Sequence, residues 1–257
     1  MGNQRQLGGK VKLISWVNEY YKQTNHEKVI LCSAVLMFLN NFYAQKVQFK
    51  DENLEKSLIL QIDSNKNGQI DNEEIDVTVE LKLGEKGISD LSGIEQFKNL
   101  KYLNLRKNNI SDFSLINQLI YLEELVIGDN KKTEILDLMK LTNLRGLYAF
   151  KLELKQIKLK SKKIVNLYLQ DNDFTKFQTN NFPELSTLNM DGCKQLKELN
   201  LTKNSKLEQI YLLGTGIKKL NVSKNLFLQT IYVEENVELE KVEGQENLKP
   251  APIVIQN

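Results

Sequence analysis

Apolar residues recur at a nearly fixed interval from about residue 78 to the end of the chain. The clearest copy of the pattern contains Leu100, Leu103, Leu105, Asn108 and Ile110. Counted between first positions, further copies follow at steps of 22, 22, 20, 21, 22 and 21 residues. In each copy the central apolar residues alternate with other residues, which predicts a short strand with one apolar side. Since one such strand cannot bury its apolar side alone, we expect the copies to stack around a continuous core.

The pattern L-x-x-L-x-L-x-x-N-x-L with this period is that of a leucine-rich repeat. It predicts an α/β, β-dominated horseshoe solenoid of eight or nine repeats, with a parallel sheet on the concave side and a small helical cap before it. The convex side is expected to hold short turns and 3₁₀ pieces, and strand-like segments near Leu199 and Leu220.

The ninth position of each repeat is expected to satisfy backbone groups buried in the turn after the strand. Asparagine suits this position best, and Cys193 and Thr215 occupy it in two later copies. Lys86 and Leu152 depart from the pattern, and we predict an irregular turn around residues 150–154.

Residues 63–74, DSNKNGQIDNEE, have the ligand spacing of an EF-hand calcium loop, with Gly68 and Ile70 at the turn and aliphatic positions. The ligand positions are filled by Asp63, Asn65, Asn67, the backbone of Gln69, Asp71 and Glu74. Apolar residues at helical spacing before the loop predict an entering helix, whereas residues 75–79 leave little room for a second full helix. We therefore predict a structural Ca²⁺ in a cap spanning residues 45–77. A polar turn that binds no metal is the alternative.

An apolar run of 11 residues, Val29 to Leu39, follows Lys28 and is interrupted by Ser33. This length is typical of a signal peptide, since a membrane-spanning helix needs about 20 apolar residues. We expect residues 1–44 to be an N-terminal extension and signal peptide, cleaved after Ala44, which predicts a secreted or cell-surface protein that does not span the membrane. A buried core helix is the alternative.

The formal charge of +2 gives no reason to expect a nucleic-acid partner. Cleavage after Ala44 would remove His26, the only histidine, and with it any serine–histidine or cysteine–histidine chemistry. Cys193 is expected to be buried rather than nucleophilic. We therefore predict that the protein is not an enzyme. Action on sugars through paired carboxylates such as Asp171 and Asp191 is the least favoured hypothesis.

The third, fifth, seventh and eighth positions of each repeat are expected to face outward from the concave sheet. The aromatic residues at these positions are Tyr102, Tyr148, Phe150, Tyr168, Tyr211 and Tyr232. Tyrosine combines a large apolar ring with a polar tip, which is typical of binding hot spots, although stacking across repeats would also explain it. We predict that this face binds a protein or, as a weaker hypothesis, a glycan. A structural or adhesive envelope protein with a calcium-stabilised cap is the second alternative.

Three segments in order, KDENLEKSLI, IDSNKNGQID and GISDLSGIEQFKNLKYLNLRKNNISD, resemble secreted bacterial leucine-rich-repeat proteins of the internalin-like kind. Later copies such as LKELNLTKNSKLEQIYLLGTGIKKLNVSKN are similar to the L-D-V-S-x-N-x-x-L variant of those repeats. The resemblance covers roughly residues 29–257, with an EF-hand-like or dockerin-like cap and repeats over residues 78–257. It implies a surface or secreted binding protein without a fixed ligand.

Overall fold

The structure is a computed structural model that describes residues 47–233, 239–244, 246 and 248, together with the backbone of residues 253–255. The predicted signal peptide within residues 1–44 lies outside the described residues. In the part of the chain that is described, no helix is long and apolar enough to cross a membrane.

Two helices form the cap that precedes the repeats. Helix α1 spans Glu52–Ile62, which confirms the predicted entering helix. Helix α2 spans only Asn72–Val77, in agreement with the little room expected for a second full helix. Helix α1 buries Leu54 and Leu58, and Ile70 and Ile75 continue the same apolar cluster into the repeats. The cap therefore covers apolar surface that the first repeat would otherwise leave open to water.

Asp51 joins the cap to the first repeat. Its Oδ1 accepts hydrogen bonds from the N–H groups of Asn53 and Leu54 at 2.9 and 3.1 Å, and so begins helix α1. Its Oδ2 accepts hydrogen bonds from the N–H and hydroxyl of Ser89 at 2.7 and 2.8 Å. Burial opposes ionisation of this carboxyl group, but the hydrogen bonds from Ser89 and Leu54 outweigh it and hold the pKa of Asp51 below its ordinary value.

Fifteen short strands follow in the described residues. They are β1 Glu80–Lys82, β2 Tyr102–Asn104, β3 Glu124–Val126, β4 Ile135–Leu138, β5 Gly146–Tyr148, β6 Gln156–Leu159, β7 Asn166–Tyr168, β8 Lys176–Gln178, β9 Thr187–Asn189, β10 Glu198–Asn200, β11 Gln209–Tyr211, β12 Lys219–Asn221, β13 Thr230–Tyr232, β14 Lys241–Glu243 and β15 Ile253–Ile255. Nine of them form the main sheet, in the order β1-β2-β3-β5-β7-β9-β11-β13-β15. All pairs are parallel, and their central leucine or isoleucine residues are buried from β1 to β13. The predicted leucine-rich-repeat solenoid is confirmed.

The connections between strands of the main sheet change along the chain. In the first repeats they contain 3₁₀ helices at Ile94–Gln96 and Ser114–Gln118. In later repeats they form two-stranded parallel pairs, β4 with β6, β8 with β10 and β12 with β14. The predicted strands near Leu199 and Leu220 are confirmed.

A ladder of asparagine side chains supports the turns that follow the main strands. The Nδ2 group of Asn108 donates to the carbonyls of Leu83 and Leu105, both at 2.8 Å, while its Oδ1 accepts from the N–H of Ile88 at 3.0 Å. Asn130 and Asn172 make corresponding bonds in their own turns. These amides satisfy backbone groups that the stacked repeats hide from water.

The departures from the ladder behave as the sequence predicts. Leu152 is buried between two residues with left-handed φ angles. Lys151, at 54°, matches the corresponding residues of the other turns, such as Lys107 at 53°, whereas Glu153, at 57°, is an additional left-handed residue, so the irregular turn is confirmed. Cys193 is buried, and its thiol donates to the carbonyl of Leu169 at 3.3 Å. The predicted burial at the ladder position is confirmed, and this burial raises the pKa of the thiol to about 12.

A second polar ladder lies on the other side of the core and was not predicted. It consists of Thr179, Asn204 and Asn225, all with no exposed surface. The Nδ2 group of Asn204 donates to the carbonyls of Thr179 and Phe182, at 3.2 and 2.7 Å, and that of Asn225 donates to the carbonyl of Asn204 at 2.7 Å. This ladder supports the turns before the main strands in the later repeats.

Candidate functional site: the exposed face of the main sheet

The register of the main sheet aligns the fifth repeat positions in one row. From β1 to β13 this row is Lys82, Asn104, Val126, Tyr148, Tyr168, Asn189, Tyr211 and Tyr232. Because side chains alternate along a strand, the row lies on the face opposite the buried leucines. That exposed face is the candidate functional site.

Four of the predicted aromatic residues form two stacked pairs in this row. The rings of Tyr148 and Tyr168 have centroids 4.9 Å apart and planes 13° apart, and those of Tyr211 and Tyr232 have centroids 4.7 Å and planes 8° apart. All four residues remain partly exposed. Burial is the main cause that raises the pKa of Tyr148 and Tyr211, with smaller contributions from Glu124 and Tyr232 respectively. The phenols of Tyr148 and Tyr211 are therefore neutral at physiological pH.

The other two predicted aromatic residues lie outside these pairs. Tyr102 is on β2 at a third position, opposite Glu124 of β3, and is partly exposed. Phe150 lies over Gly128, where a Cβ atom would come within 2.5 Å of the phenylalanine ring. The guanidinium of Arg106 sits 5.6 Å from the centre of the same ring. Phe150 is thus packed against Gly128 and Arg106 of the two preceding repeats.

Charge divides the exposed face into two halves. In the charged half, β1 to β3 and their flanking residues, ion pairs join Glu80 to Lys82 at 2.8 Å and Lys101 to Glu123 at 3.2 Å. In the aromatic half, β5 to β13, every outward strand residue is uncharged. From β7 to β13 these residues are Asn166, Tyr168, Thr187, Asn189, Gln209, Tyr211, Thr230 and Tyr232.

A recessed polar slot separates the two tyrosine pairs. We define the slot by Tyr168, Thr187, Asn189 and Tyr211. Thr187 and Asn189 on β9 form its floor, and each is only 7% exposed. The Oδ1 of Asn189 accepts from the N–H of Asp191 at 2.9 Å, but its Nδ2 donates to no residue that the structure describes.

A separate cavity of about 550 Å³ is lined by residues that follow the main strands β5, β7, β9 and β11. Its lining includes Phe150, Gln170, Asp171, Asp191 and Leu213. The Oε1 of Gln170 is enclosed and accepts no hydrogen bond from the described part of the protein. Asp191 accepts from the N–H of Leu213 at 2.7 Å, and burial raises the pKa of its carboxyl group. The structure therefore places the carboxylates of Asp171 and Asp191, named in the enzyme hypothesis, on one cavity wall.

Sequence reasoning missed the slot. Thr187 and Asn189 are ordinary outward residues by pattern, and their burial comes from tyrosines on the neighbouring repeats. The one signal in the sequence is the interruption of the tyrosine row by Asn189.

The structure contains the turn expected of the predicted calcium loop. The side chain of Glu74, the last predicted ligand, makes hydrogen bonds within the loop. Asp63 accepts from the N–H groups of Asn67 and Gly68, at 3.2 and 2.9 Å, and the φ of Gly68 is 75°. Asp71 starts helix α2 by accepting from the N–H of Glu74 at 3.2 Å. The Glu74 carboxylate is 3% exposed.

Glu74 fastens the loop instead of pointing to an open site. Its Oε1 accepts from the N–H and hydroxyl of Ser64 at 2.7 and 3.2 Å, and its Oε2 accepts from the N–H of Asp71 at 3.3 Å. Among the described residues, no three His, Cys, Asp or Glu side chains converge as a metal cluster. The oxygens of Asp63, Asn65 and Asp71 fit a calcium loop, whereas Glu74 would have to give up hydrogen bonds to bind an ion bidentately.

Comparison with solved structures relates the fold to two proteins of Listeria monocytogenes. The functional domain of InlJ, which includes a cysteine ladder, matches with a TM-score of 0.72 and 22% identity over 82% of this chain and 48% of that one. The chain thus spans about half the length of that domain. Internalin C2 matches with a TM-score of 0.54 and 18% identity over 81% of this chain and 94% of that one. No protein-family model and no curated protein sequence matches. The described part of the chain is a leucine-rich-repeat solenoid with an internalin-like fold.

Proposed function

We propose that this protein is a secreted or cell-surface binding module that recognises a protein ligand on the exposed face of its main sheet. The observation that carries the proposal is the row of paired tyrosines on the aromatic half. Stacking holds each ring in one orientation before a ligand arrives, so binding would cost little side-chain entropy. Tyrosine is also among the residues that contribute most to protein interfaces. The similarity in fold to two internalins supports the same proposal.

The charge distribution favours the aromatic half as the centre of this interface. Cores of protein interfaces are depleted of charged residues, and their rims are polar. The charged half already pairs Glu80 with Lys82 and Lys101 with Glu123, so a ligand there would have to compete with existing ion pairs. We expect the charged half to form part of the rim.

The test is a capture experiment with the full chain. Wild type, a Tyr148→Ala/Tyr211→Ala variant and a Tyr121→Ala control are immobilised and exposed to cell-surface and secreted protein extracts. Tyr121 is 54% exposed and lies off the sheet row, so it is a matched tyrosine without a predicted role. We expect wild type and the control to retain a protein that the double variant loses. Equal capture by all three would contradict the proposal, provided that melting curves show the double variant to be folded.

We also propose that residues 63–74 bind Ca²⁺ in a structural role. The residues that would hold it are Asp63, Asn65, Asn67, the Gln69 carbonyl and Asp71. When bound, the ion would cross-link the segment between helices α1 and α2. The side chains of this loop already bond to its own backbone, so we expect the ion to stabilise a loop that is largely formed.

A further inference from the structure

We propose that an open groove between strands β6 and β8 binds an extended, acidic segment of a partner protein by strand addition. We call it the β6–β8 groove and define it by Ile135, Ile157, Lys176 and Phe177. It lies among the connections between the main strands, with the apolar core between it and the exposed face of the main sheet. The inference therefore concerns a second surface and does not rest on the proposed function.

The two repeats that carry β6 and β8 are joined along the main sheet but not along their connections. The N–H of Asp173 donates to the carbonyl of Leu154 at 2.9 Å, and the N–H of Ser186 donates to the carbonyl of Val165 at 2.9 Å. Between these two points the structure describes every residue, and no hydrogen bond joins the two repeats there. Strand β6 pairs with β4 and β8 pairs with β10, so each has one edge without a strand partner in this stretch.

The second polar ladder also stops between these repeats. The Ser161 hydroxyl donates to the carbonyl of Leu144 in the preceding repeat at 2.6 Å, and Asn204 donates to the carbonyl of Thr179 at 3.2 Å. In this described stretch, no hydrogen bond links the turn of Ser161 to the turn of Thr179. The gap between β10 and β12 differs, because Asn225 donates across it to the carbonyl of Asn204 at 2.7 Å. The connections are therefore open beside β6 and tied together beside β12.

A cavity of about 580 Å³ occupies the opening. Ile135, Ile157 and Phe177 supply the apolar part of its lining, and Ile135 is 52% exposed. Ile157 lies in register with Leu136, which is only 1% exposed, yet Ile157 itself is partly exposed because no strand pairs with β6 on the side of β8. The groove thus combines an apolar floor with two strand edges, and this is the combination that binds peptides by strand addition.

The two segments that flank the groove are basic. Residues 155–163 and 174–181 contain six lysines and no aspartate or glutamate. Two of these lysines pair with carboxylates of the preceding repeat, at 2.9 and 3.5 Å. Three others are exposed and form no ion pair in the described part of the chain, and they are Lys160, Lys162 and Lys176. These charges attract an acidic ligand, whereas a second copy of this chain would bring its own lysines against them.

The strand edges favour a protein segment over another kind of polyanion. An edge pairs with regularly spaced N–H and C=O groups, which the backbone of a polyphosphate or nucleic acid does not carry. Strand β6 has four residues and β8 has three, so a segment of about four extended residues, roughly 13 Å long, would cover either edge. If acidic and β-branched residues alternate in this segment, its carboxylates face the lysines and its apolar side chains face the floor.

The experiment selects phage-displayed random peptides of about nine residues on the immobilised full chain. Phage that bind an Ile135→Asp variant are removed first, which leaves peptides that need the groove. The best remaining peptide is synthesised with a fluorescent label, and anisotropy gives its Kd. We expect an acidic sequence with alternating β-branched residues and a Kd of about 100 μM or tighter. Hydrogen exchange of the complex should show new protection of backbone amides within residues 155–159 or 174–178.

Lys176→Glu and Lys219→Glu form a matched pair for this peptide. Both lysines are exposed and begin a strand beside a gap, β8 and β12 respectively, but only Lys176 lines the open groove. Lys176→Glu should weaken binding roughly tenfold, and Lys219→Glu should leave it unchanged. A peptide with N-methyl groups on its central residues keeps its charges but loses N–H donors, so it should bind at least about tenfold more weakly. Melting curves check that each variant is folded.

Three results would overturn the proposal. They are the absence of any peptide after the depletion, equal binding by wild type and Lys176→Glu, and equal binding of the N-methylated peptide. If polyphosphate also displaces the N-methylated peptide, the groove is a site for polyanions and strand addition is rejected. The Tyr148→Ala/Tyr211→Ala variant should bind the selected peptide as wild type does, so failure here leaves the proposed recognition on the main sheet standing.

Discussion

The charged half and the aromatic half of the sheet face share one backbone and differ in what their side chains meet. On β1 to β3, acidic and basic side chains reach one another, so their charges are already neutralised. On β5 to β13, tyrosines stack in pairs and every other outward strand residue of the main sheet is uncharged. The repeat architecture alone therefore does not make a surface functional. Stacked aromatic rings among uncharged polar residues distinguish the aromatic half.

Substitutions in the asparagine ladder should have the largest effect on the free energy of unfolding, and they test whether the ladder supports both halves of the sheet equally. Asn108 supports a turn of the charged half, and Asn172 supports a turn of the aromatic half. The two variants are Asn108→Leu and Asn172→Leu. Each should lower the free energy of unfolding by about 3 kcal/mol or more, because each leaves several buried backbone groups unpaired. Denaturant unfolding measures both. A much smaller loss in one variant would show that the halves differ in their scaffold and not only in their surfaces.

Asp51 tests how firmly the cap supports the charged half. Asp51→Ala removes the start of helix α1 and the bonds to Ser89, and we expect a loss of about 2 kcal/mol at pH 7. Because the pKa of Asp51 is lowered in the folded state, its contribution is present above the unfolded pKa of about 3.9 and is lost as the pH falls through the folded value. The difference in unfolding free energy between wild type and variant should therefore be smaller at pH 3 than at pH 7.

The loop variants separate a metal effect from a hydrogen-bond effect. Glu74→Ala should lower the melting temperature both in calcium and in chelator, by the equivalent of about 1–2 kcal/mol, because Ser64 and Asp71 lose their acceptor. Asp71→Asn keeps an oxygen that can start helix α2, so it should melt like wild type in chelator. It should also lose most of the rise in melting temperature caused by calcium. A wild type that melts identically with calcium and chelator would reject the calcium site.

The tyrosine pairs should be coupled by about 1 kcal/mol each. A double-mutant cycle with Tyr211→Ala and Tyr232→Ala measures the coupling in the free energy of unfolding. The pair Tyr148 and Tyr168 should give a similar value. Additive losses in both cycles would show that the rings do not hold each other in position, which would weaken the case for a preordered binding face.

The ion pairs of the charged half should have the smallest effect. The side chains of Lys101 and Glu123 are 60% and 42% exposed, so water and salt screen their attraction. Lys101→Ala should change the free energy of unfolding by less than about 0.5 kcal/mol and leave ligand capture unchanged. A large loss of captured ligand would move the interface centre toward the charged half.

Much of the fold could be read from the sequence because the leucine period determines which way every nearby side chain points. The period placed Tyr148, Tyr168, Tyr211 and Tyr232 in one row, and their strands are in that register. It also located the ladder position of Cys193. The ligand spacing of residues 63–74 placed Gly68 at a turn, and in the structure this glycine has a left-handed φ of 75°.

The sequence by itself determined the repeats, the direction of their side chains and the place of the cap, since these depend on local alternation and spacing. Only the tertiary structure decided what each side chain meets, because its neighbours come from repeats about 20 residues away. Asn189 and Asn104 occupy the same position in the pattern, yet only Asn189 lies between tyrosines and is buried. In the same way, the contact with Ser64 gave Glu74 its role in fastening the loop.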